Sequence, residues 1–225
     1  MSREDGGATA GMVRVPFDAF LEVGLRLPRL GALPPVRSLR QEWPEACRLP
    51  DLSGLHGGAS FARAWAGWHP DGLALRFHVD SGQPPWARRD APYRSDGVHL
   101  WLDTRDSREA RKLTPYCHHA LVTADAHDGP TVAVFEQAAA QRWAAAPEAL
   151  PLVAAALAPS EAGYRLEVVL PAEVLHGYAP REAPFLGLAY RIRIPRGPVQ
   201  DLAFGDAFPL WRNPSLWRSV RLDGA

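Results

Sequence analysis

Apolar and polar residues alternate along several short segments of the chain. The clearest are residues 73–80 and 97–103, where every second side chain is apolar. Because successive side chains of a strand point to opposite faces of a sheet, this period predicts strands with one face in a core. Residues 61–68, followed by the turn His69-Pro70-Asp71-Gly72, complete a predicted β-hairpin with residues 73–80.

Weaker patterns of the same kind predict six further strands and one helical turn at residues 171–175. The strands are predicted at residues 116–123, 131–135, 152–157, 164–170, 186–194 and 216–222. Eight to eleven short strands with turn signals between them are typical of an all-β fold, here an antiparallel β-sandwich of immunoglobulin-like or jelly-roll-like type.

The beginning of the chain has no such period. Residues 1–12 are polar and Gly-rich, which predicts a disordered tail. Six prolines then interrupt residues 13–50, so this part is predicted to wrap around the sandwich, with one helical turn near residues 17–23. No change in composition divides the remainder, and residues 13–225 are predicted to be one domain.

Composition supports the β prediction and excludes several classes of function. The 225 residues include 8 Trp, 22 Pro and 19 Gly, a mixture that favours strands and turns over long helices. Basic and acidic residues number 25 each, so the charge does not indicate a nucleic-acid partner. No segment approaches the roughly 18 apolar residues of a membrane span, and charges at residues 3–5 disfavour a signal peptide. We therefore expect a cytoplasmic protein without nucleic-acid or membrane partners, in which Cys47 and Cys117 are free thiols.

Motifs that carry a catalytic mechanism are absent from the sequence. It contains no phosphate-binding loop, no dinucleotide fingerprint, no His-Glu-x-x-His, no Cys-x-x-Cys and no Gly-x-Ser-x-Gly. Carboxylates such as Asp96 and Glu167 could form an acid/base pair only if they lay roughly 5 to 9 Å apart, which their spacing along the chain does not show, and Asp residues at strand ends more often form turns. The sequence therefore predicts a protein that is not an enzyme.

Two segments carry a family resemblance. Residues 92–103 combine an aromatic residue, a short spacer, Asp-x-Val, an apolar strand and a final Asp, and residues 211–215 read Trp-Arg-Asn-Pro-Ser. Both resemble segments of the family 9 carbohydrate-binding modules, which are sugar-binding β-sandwiches related to DOMON domains. In those modules the segment that corresponds to residues 211–215 is Trp-Arg-Asp-Pro-Ser. Trp68 and residues 71–73, 163–171 and 186–188 agree in order, so the resemblance covers roughly residues 45 to 222. It implies a sandwich of the carbohydrate-binding-module type.

In that family two aromatic rings clamp the end of a sugar, and the matching positions here are Tyr93 and Trp211. A pyranose presents an apolar face that stacks on an aromatic ring, while its hydroxyls need polar partners. The sequence departs from the pattern by having Tyr where well-known members have Trp, and His99 where an acidic contact is expected. The resemblance implies a non-catalytic protein with a small carbohydrate ligand, in a glycoside-hydrolase and carbohydrate-catabolic context. The implied binding residues are Tyr93, Trp211, His99, His119, Arg212 and Trp86.

The predicted positions of several histidines fit more than one role. Alternation places His78, His99 and one of His118 and His119 on the polar sides of their strands, with Arg76, Trp101, Glu167, Arg191 and Arg193 on what would be one sheet face. Such a face would suit a structural network, ligand contacts or a Zn²⁺ site for a metal-dependent enzyme, with His78, His99 and His118 as ligands. A structural Ca²⁺ would draw on Asp80, Asp103 and Asp106.

Two further alternatives follow from the resemblance. A module that had lost sugar binding would serve as a protein-interaction module, with a protein partner or a second copy of the chain covering Tyr93 and Trp211. Haem binding, known for some DOMON domains, would have to use histidine, because Met1 and Met12 are the only methionines.

Overall fold

The computed structural model describes residues 24–35, 39, 42–107, 111–137, 152–195, 197–202 and 208–225. These residues form eleven strands and six single-turn 3₁₀ helices, with no α-helix among them. The strands are β1 Leu25–Leu27, β2 Ala62–His69, β3 Gly72–Val79, β4 Gly97–Asp103, β5 Cys117–Asp125, β6 Gly129–Gln137, β7 Ala154–Ser160, β8 Gly163–Pro171, β9 Phe185–Arg193, β10 Val199–Asp201 and β11 Arg218–Leu222. The 3₁₀ helices are Glu45–Cys47, Ser53–His56, Pro92–Arg94, Ala172–Val174, Leu210–Arg212 and Pro214–Leu216.

The strands form two sheets. Sheet A has the order β1-β11-β9-β4-β5-β6, with β10 also paired to β9, and sheet B has the order β2-β3-β8-β7. Among the described strands, neighbours are antiparallel except for β1, which lies parallel to β11. One cluster of buried apolar side chains from both sheets lies between them. Within it the rings of Phe77 on β3 and Tyr190 on β9 meet edge to face with centroids 5.4 Å apart. The fold is therefore the predicted antiparallel β-sandwich.

The alternation of apolar residues located most strands within a few residues of their bounds. The hairpin of β2 and β3, and strand β4, are confirmed almost to the residue. The helical turn predicted at residues 171–175 is the 3₁₀ helix Ala172–Val174. Strands β1 and β10 were missed because each has three residues, too few to show a period, and β10 lies between the strands predicted at residues 186–194 and 216–222.

The prediction of a single polar sheet face is wrong. His78, Arg76 and Glu167 lie on the outer face of sheet B, because β3 pairs with β2 and β8. His99 and Arg191 are cross-strand neighbours on sheet A. Alternation assigns a side chain to one side of its strand but does not say to which sheet the strand belongs, so two polar outer faces were merged into one.

Some predictions fall on residues that are not described. The tail at residues 1–12 and the helical turn at residues 17–23 lie outside the described residues, as do residues 138–151 of the Ala-rich stretch. Cys47 and Cys117 are buried free thiols, as expected. None of the helices in the described part of the chain has the length and apolar character to cross a membrane.

Candidate functional site

A cleft of about 530 Å³ opens beside the start of β4 and the end of β9. Its wall includes two exposed aromatic side chains, Trp86 at 52% and Tyr93 at 51% relative exposure. The remaining described residues that line it are polar residues and prolines: Gln83, Pro84, Arg88, Arg94, Ser95, Asp96, Arg193 and Pro195. Aromatic faces combined with convergent polar groups are typical of small-molecule sites.

Hydrogen bonds fix the loop that carries Trp86. The amide of Trp86 donates to Oδ2 of Asp96 at 2.9 Å, and the amide of Asp96 donates back to the Trp86 carbonyl at 2.9 Å. The amides of Ala87 and Arg88 donate to Asp125 Oδ2 and Ser95 Oγ, each at 2.8 Å. Although the loop is rich in proline and lacks regular structure, these bonds hold the wall of the cleft in place.

Tyr93 rests on a group of buried rings that belong to β4 and β5. Its ring centroid is 5.8 Å from that of His99, at an interplanar angle of 30°. His99 lies 5.4 Å from Trp101 and 5.3 Å from His119, and these rings are parallel to within 10°. Trp101 and His119 are direct cross-strand partners, so the sheet itself sets this arrangement. The exposed ring of Tyr93 is thereby held by rings beneath it.

The electrostatics of the cleft are mainly cationic. Arg88, Arg94 and Arg193 line it, and Arg88 is bonded to Asp90 with a shortest contact of 2.5 Å. Below the cleft, the guanidinium of Arg191 donates to both carboxylate oxygens of Asp201, at 2.8 and 3.1 Å.

Two buried groups beside the cleft have displaced pKa values. Burial, together with the charges of His119, Arg193 and Arg191, lowers the pKa of His99 to about 3 and keeps its ring neutral. Burial raises the pKa of Asp96 to about 6, against the opposing effect of the Trp86 amide. Burial therefore shifts the two pKa values in opposite directions, and in each case it favours the neutral form.

Trp211 occupies a different part of the outer face of sheet A. It lies on the 3₁₀ helix Leu210–Arg212 and is 54% exposed. Its neighbour Leu210 packs in a second apolar cluster with Trp101 and Trp217, and the Leu210 carbonyl accepts a 2.9 Å hydrogen bond from the Trp217 indole. The Arg212 guanidinium lies 5.9 Å from the centroid of the Trp211 ring. Trp211 is not among the described residues that line the cleft.

The predicted site residues thus divide into three groups. Tyr93 and Trp86 lie in the cleft, while Trp211 and Arg212 are exposed on the 3₁₀ helix Leu210–Arg212 and do not line it. His99 and His119 are each only 6% exposed, so the prediction that they contact a ligand directly does not fit their burial. Their rings lie beneath the cleft, where His99 stacks on Tyr93 and His119 adjoins His99.

The predicted metal ligands do not come together. His78 belongs to sheet B, His99 to the outer face of sheet A, and His118 is bonded through Nε2 to the His176 carbonyl at 3.3 Å. For calcium, Asp103 accepts bonds from the amides of Arg105 and Ser107, and Asp80 follows a strand of sheet B. Within the described ranges, no group of three or more His, Cys, Asp or Glu side chains could hold a metal ion.

The sequence reasoning did not single out Arg88, Arg94, Asp96 and Arg193 as site residues. Arg94 and Asp96 follow Tyr93 directly, and Arg193 pairs with Gly97 at the end of β9. Their position within the resemblance motif was a usable signal for Arg94 and Asp96. Arg88 could not have been found in this way, because only the folded loop brings it to the cleft.

Comparison with known proteins supports the fold. No protein-family model and no curated protein sequence matches the chain. Among solved structures, a family 9 carbohydrate-binding module from Caldicellulosiruptor kristjanssonii in complex with cellotriose has a TM-score of 0.60 and 16% identity, over 90% of this chain and 95% of that one. A structure of such a module from the same organism in complex with glucose has a TM-score of 0.53 and 18% identity, over 73% of this chain and 77% of that one.

A third similar structure is a proposed carbohydrate-binding protein from Bacteroides uniformis, with a TM-score of 0.52 and 10% identity over 89% of this chain and 98% of that one. The architecture is thus first of all a two-sheet antiparallel sandwich. More narrowly, it is the fold of the family 9 carbohydrate-binding modules, as the resemblance of the motifs implied.

Proposed function

We propose that this protein binds a carbohydrate, without catalysis, at the cleft beside Tyr93. The observation that carries the proposal is the half-exposed Tyr93 ring, which stands in a polar cleft and is held from below by His99. An aromatic ring that is fixed in this way loses little conformational freedom when a sugar stacks on it. The sugar complexes of the two similar modules support the choice of ligand class.

The polar groups of the cleft suit the hydroxyls of a sugar. Arginine presents up to five N–H donors, and Arg88, Arg94 and Arg193 line the same space. Gln83 supplies both a donor and an acceptor. A sugar stacked on Tyr93 would therefore find hydrogen-bond partners around its edge, which is what orients a ligand in a largely preformed site.

Trp211 is the proposed second ring of the clamp, in keeping with its motif. Tyr93 stacks over His99, and the turn that carries Trp211 is anchored over Trp101, two residues further along β4. A sugar between two rings keeps van der Waals contact with both, so the rings would stand roughly 7–8 Å apart. The supporting rings of His99 and Trp101 are neighbours, with centroids 5.4 Å apart, which favours two stacking rings over the same part of β4.

Calorimetric titration with glucose, cellotriose and an acidic sugar, glucuronate, tests this function. We expect saturable binding of at least one sugar by the wild type and a loss of at least tenfold in affinity in Tyr93→Ala and in Trp211→Ala. Phe185→Ala is the matched control, since Phe185 is an exposed ring at the opposite end of β9 from Arg193. Equal weakening by the control variant, or sugar binding unaffected by Tyr93→Ala, would contradict the proposal.

A protein partner is the second candidate. Trp86, Tyr93 and Trp211 each expose about half of a large ring, and aromatic side chains are enriched at protein interfaces. If none of the sugars binds and the wild type sediments as a dimer that Trp211→Ala converts to a monomer, the exposed rings form an interface between two copies of the chain.

A further inference from the structure

The outer face of sheet B carries a row of basic side chains across three strands. Arg63 on β2 is the direct cross-strand partner of His78 on β3, and His78 is the direct partner of Arg165 on β8. The row lies in a second cleft, of about 290 Å³. This cleft is on the opposite side of the sandwich from the cleft at Tyr93, because it is built on the other sheet.

Two tryptophans form the apolar walls of this second cleft. Trp65 is buried against His78, with ring centroids 4.7 Å apart. The Trp43 indole donates to Oε2 of Glu167 at 3.3 Å, and the guanidinium of Arg76 lies 5.4 Å from the Trp43 ring centroid. Trp65 is the cross-strand partner of Arg76, and Arg76 is the partner of Glu167, so these contacts place both indoles on the Arg76 side of the basic row.

The charges of the cleft are unequally compensated. Arg76 is held by Glu167 in a buried ion pair of 2.5 Å. Arg63 and Arg165, the two cross-strand partners of His78, form no ion pair among the described residues. Both guanidiniums are exposed and lie two strands apart with His78 between them, so each is accessible to solvent and to an anion and has no countercharge among the described residues.

The acidic groups around the row do not supply that charge. Glu42 and Glu45 are at the rim of the cleft, and Glu45 is already bonded to Arg48 at 2.9 Å. Glu42 forms no ion pair within the described part of the chain, and Asp80 is exposed beyond the end of β3.

The pKa of His78 is affected by these positive charges. Burial, followed by the charges of Arg63, Arg165 and Arg76, lowers the pKa of His78 to about 4, and only Asp80 opposes them. Its Nε2 is buried without a hydrogen-bond partner among the described residues. A neutral imidazole with an unused nitrogen lies at the centre of the row, where it could donate to an anion.

We propose that the outer face of sheet B binds a small molecule through an oxyanion, a phosphate or carboxylate group, that bridges Arg63 and Arg165 above His78. Neighbouring strands are about 4.8 Å apart, so the backbones of the two arginines are about 10 Å apart and both side chains can reach one central group. Guanidinium groups match the oxygens of phosphate and carboxylate with paired N–H donors. The cleft exceeds the size of the oxyanion alone, and the faces of Trp43 and Trp65 suit an apolar part of the molecule that carries it.

Calorimetry with potassium phosphate, glucose 6-phosphate and potassium acetate, at an ionic strength held constant with potassium chloride, tests this proposal. We expect saturable binding of phosphate or acetate. The anion with the higher affinity shows whether the site recognises a phosphate or a carboxylate group. Arg63→Gln and Arg165→Gln should each weaken binding at least tenfold. Arg221→Gln, at an exposed arginine on sheet A, should leave it unchanged.

A second measurement reports on the row directly. Histidine NMR signals followed against pH should show the pKa of His78 rising toward its ordinary value when the anion is bound, because the anion offsets the neighbouring guanidiniums. Tyr93→Ala should leave anion binding intact, which separates this site from the proposed sugar site. The proposal is overturned if none of the three anions binds more tightly than chloride, or if binding survives both arginine substitutions.

Discussion

The imidazole rings of His99 and His119 lie nearly parallel, at 4°, with Nδ1 of His99 3.1 Å from Nε2 of His119. At this distance one nitrogen donates its proton and the other accepts it, so a hydrogen bond exists only while one of the facing nitrogens carries no proton. Because the pKa of His99 is lowered to about 3, this ring stays neutral and the bond persists over most of the pH range. The pair supports Tyr93, so protonation is expected to loosen the cleft.

Acid should therefore destabilise the protein through His99. Its pKa is lower in the folded chain than in the unfolded chain, where it is near 6.5, so the unfolded chain binds more protons between pH 6.5 and about 3. The contribution of neutral His99 to the free energy of unfolding is complete above pH 6.5. It is lost as the pH falls through this window, by about 2 kcal/mol at pH 5. Urea unfolding at a series of pH values should show a shallower acid slope for His99→Gln. His127→Gln, at an exposed position, should keep the wild-type slope; a change of slope there instead would refute the assignment.

Asp96 should give the opposite dependence on pH. Its pKa is raised to about 6 by burial, so between pH 4 and 6 the folded chain binds more protons than the unfolded chain. Stability should decrease as the pH rises through this window and level off above it. Asp96→Asn keeps an oxygen that can accept from the Trp86 amide and removes the buried charge. We expect it to be more stable than the wild type by about 2–3 kcal/mol at pH 7 and equal to it near pH 4.

The same urea series measures this difference, with Glu161→Gln at an exposed turn as the control. A destabilised Asp96→Asn at pH 7 would mean that the carboxylate is needed in its charged form. The two pH predictions can be separated because each is read as the difference between a variant and the wild type.

The periodic parts of the fold were predictable, and the reasons are visible in single strands. In β4, every residue from Gly97 to Asp103 is buried. Val98, Leu100 and Leu102 nevertheless alternate with more polar residues, and this alternation predicted both the strand and the side of it that faces the core. The sheet to which a strand belongs depends on partners that are distant in sequence. For this reason His78 and His99 could be assigned to outward-facing positions but were wrongly placed on one face.

The candidate site was predictable where it follows a local motif. Tyr93 was found because it lies directly before β4 in the resemblance motif, and the structure places it in the cleft. Burial of His99 was not predictable, because it depends on Tyr93 and on the loop over Trp101 rather than on the alternation of β4 itself. Arg63 and Arg165 are 102 residues apart in the chain, so only the pairing of β3 with both β2 and β8 shows that they share a row.

The ion pair of Arg191 and Asp201 should be sensitive to the loss of one partner. Both side chains are almost inaccessible, at 7% and 0% exposure, and the guanidinium donates to both oxygens. Asp201→Asn leaves a buried guanidinium without its countercharge, which typically costs about 3–5 kcal/mol. Replacing both residues, as in Arg191→Met with Asp201→Leu, should recover most of that loss. Urea unfolding of the three variants measures this, and a cost below about 1 kcal/mol for Asp201→Asn would contradict it.

Gly163, at the start of β8, should not tolerate a side chain. Its φ is +152°, and a Cβ at this position would collide with the backbone carbonyl of Val79 on the paired strand. Backbone atoms in a sheet cannot move aside without breaking ladder hydrogen bonds, so Gly163→Ala should destabilise the protein by about 3 kcal/mol or more. Gly129 also has a positive φ, of +80°, but open space around its Cβ position. Gly129→Ala should cost only the strain of the left-handed backbone, about 1 kcal/mol. Equal losses in thermal or urea unfolding would show that the backbone conformation, rather than the collision with Val79, sets the requirement for glycine.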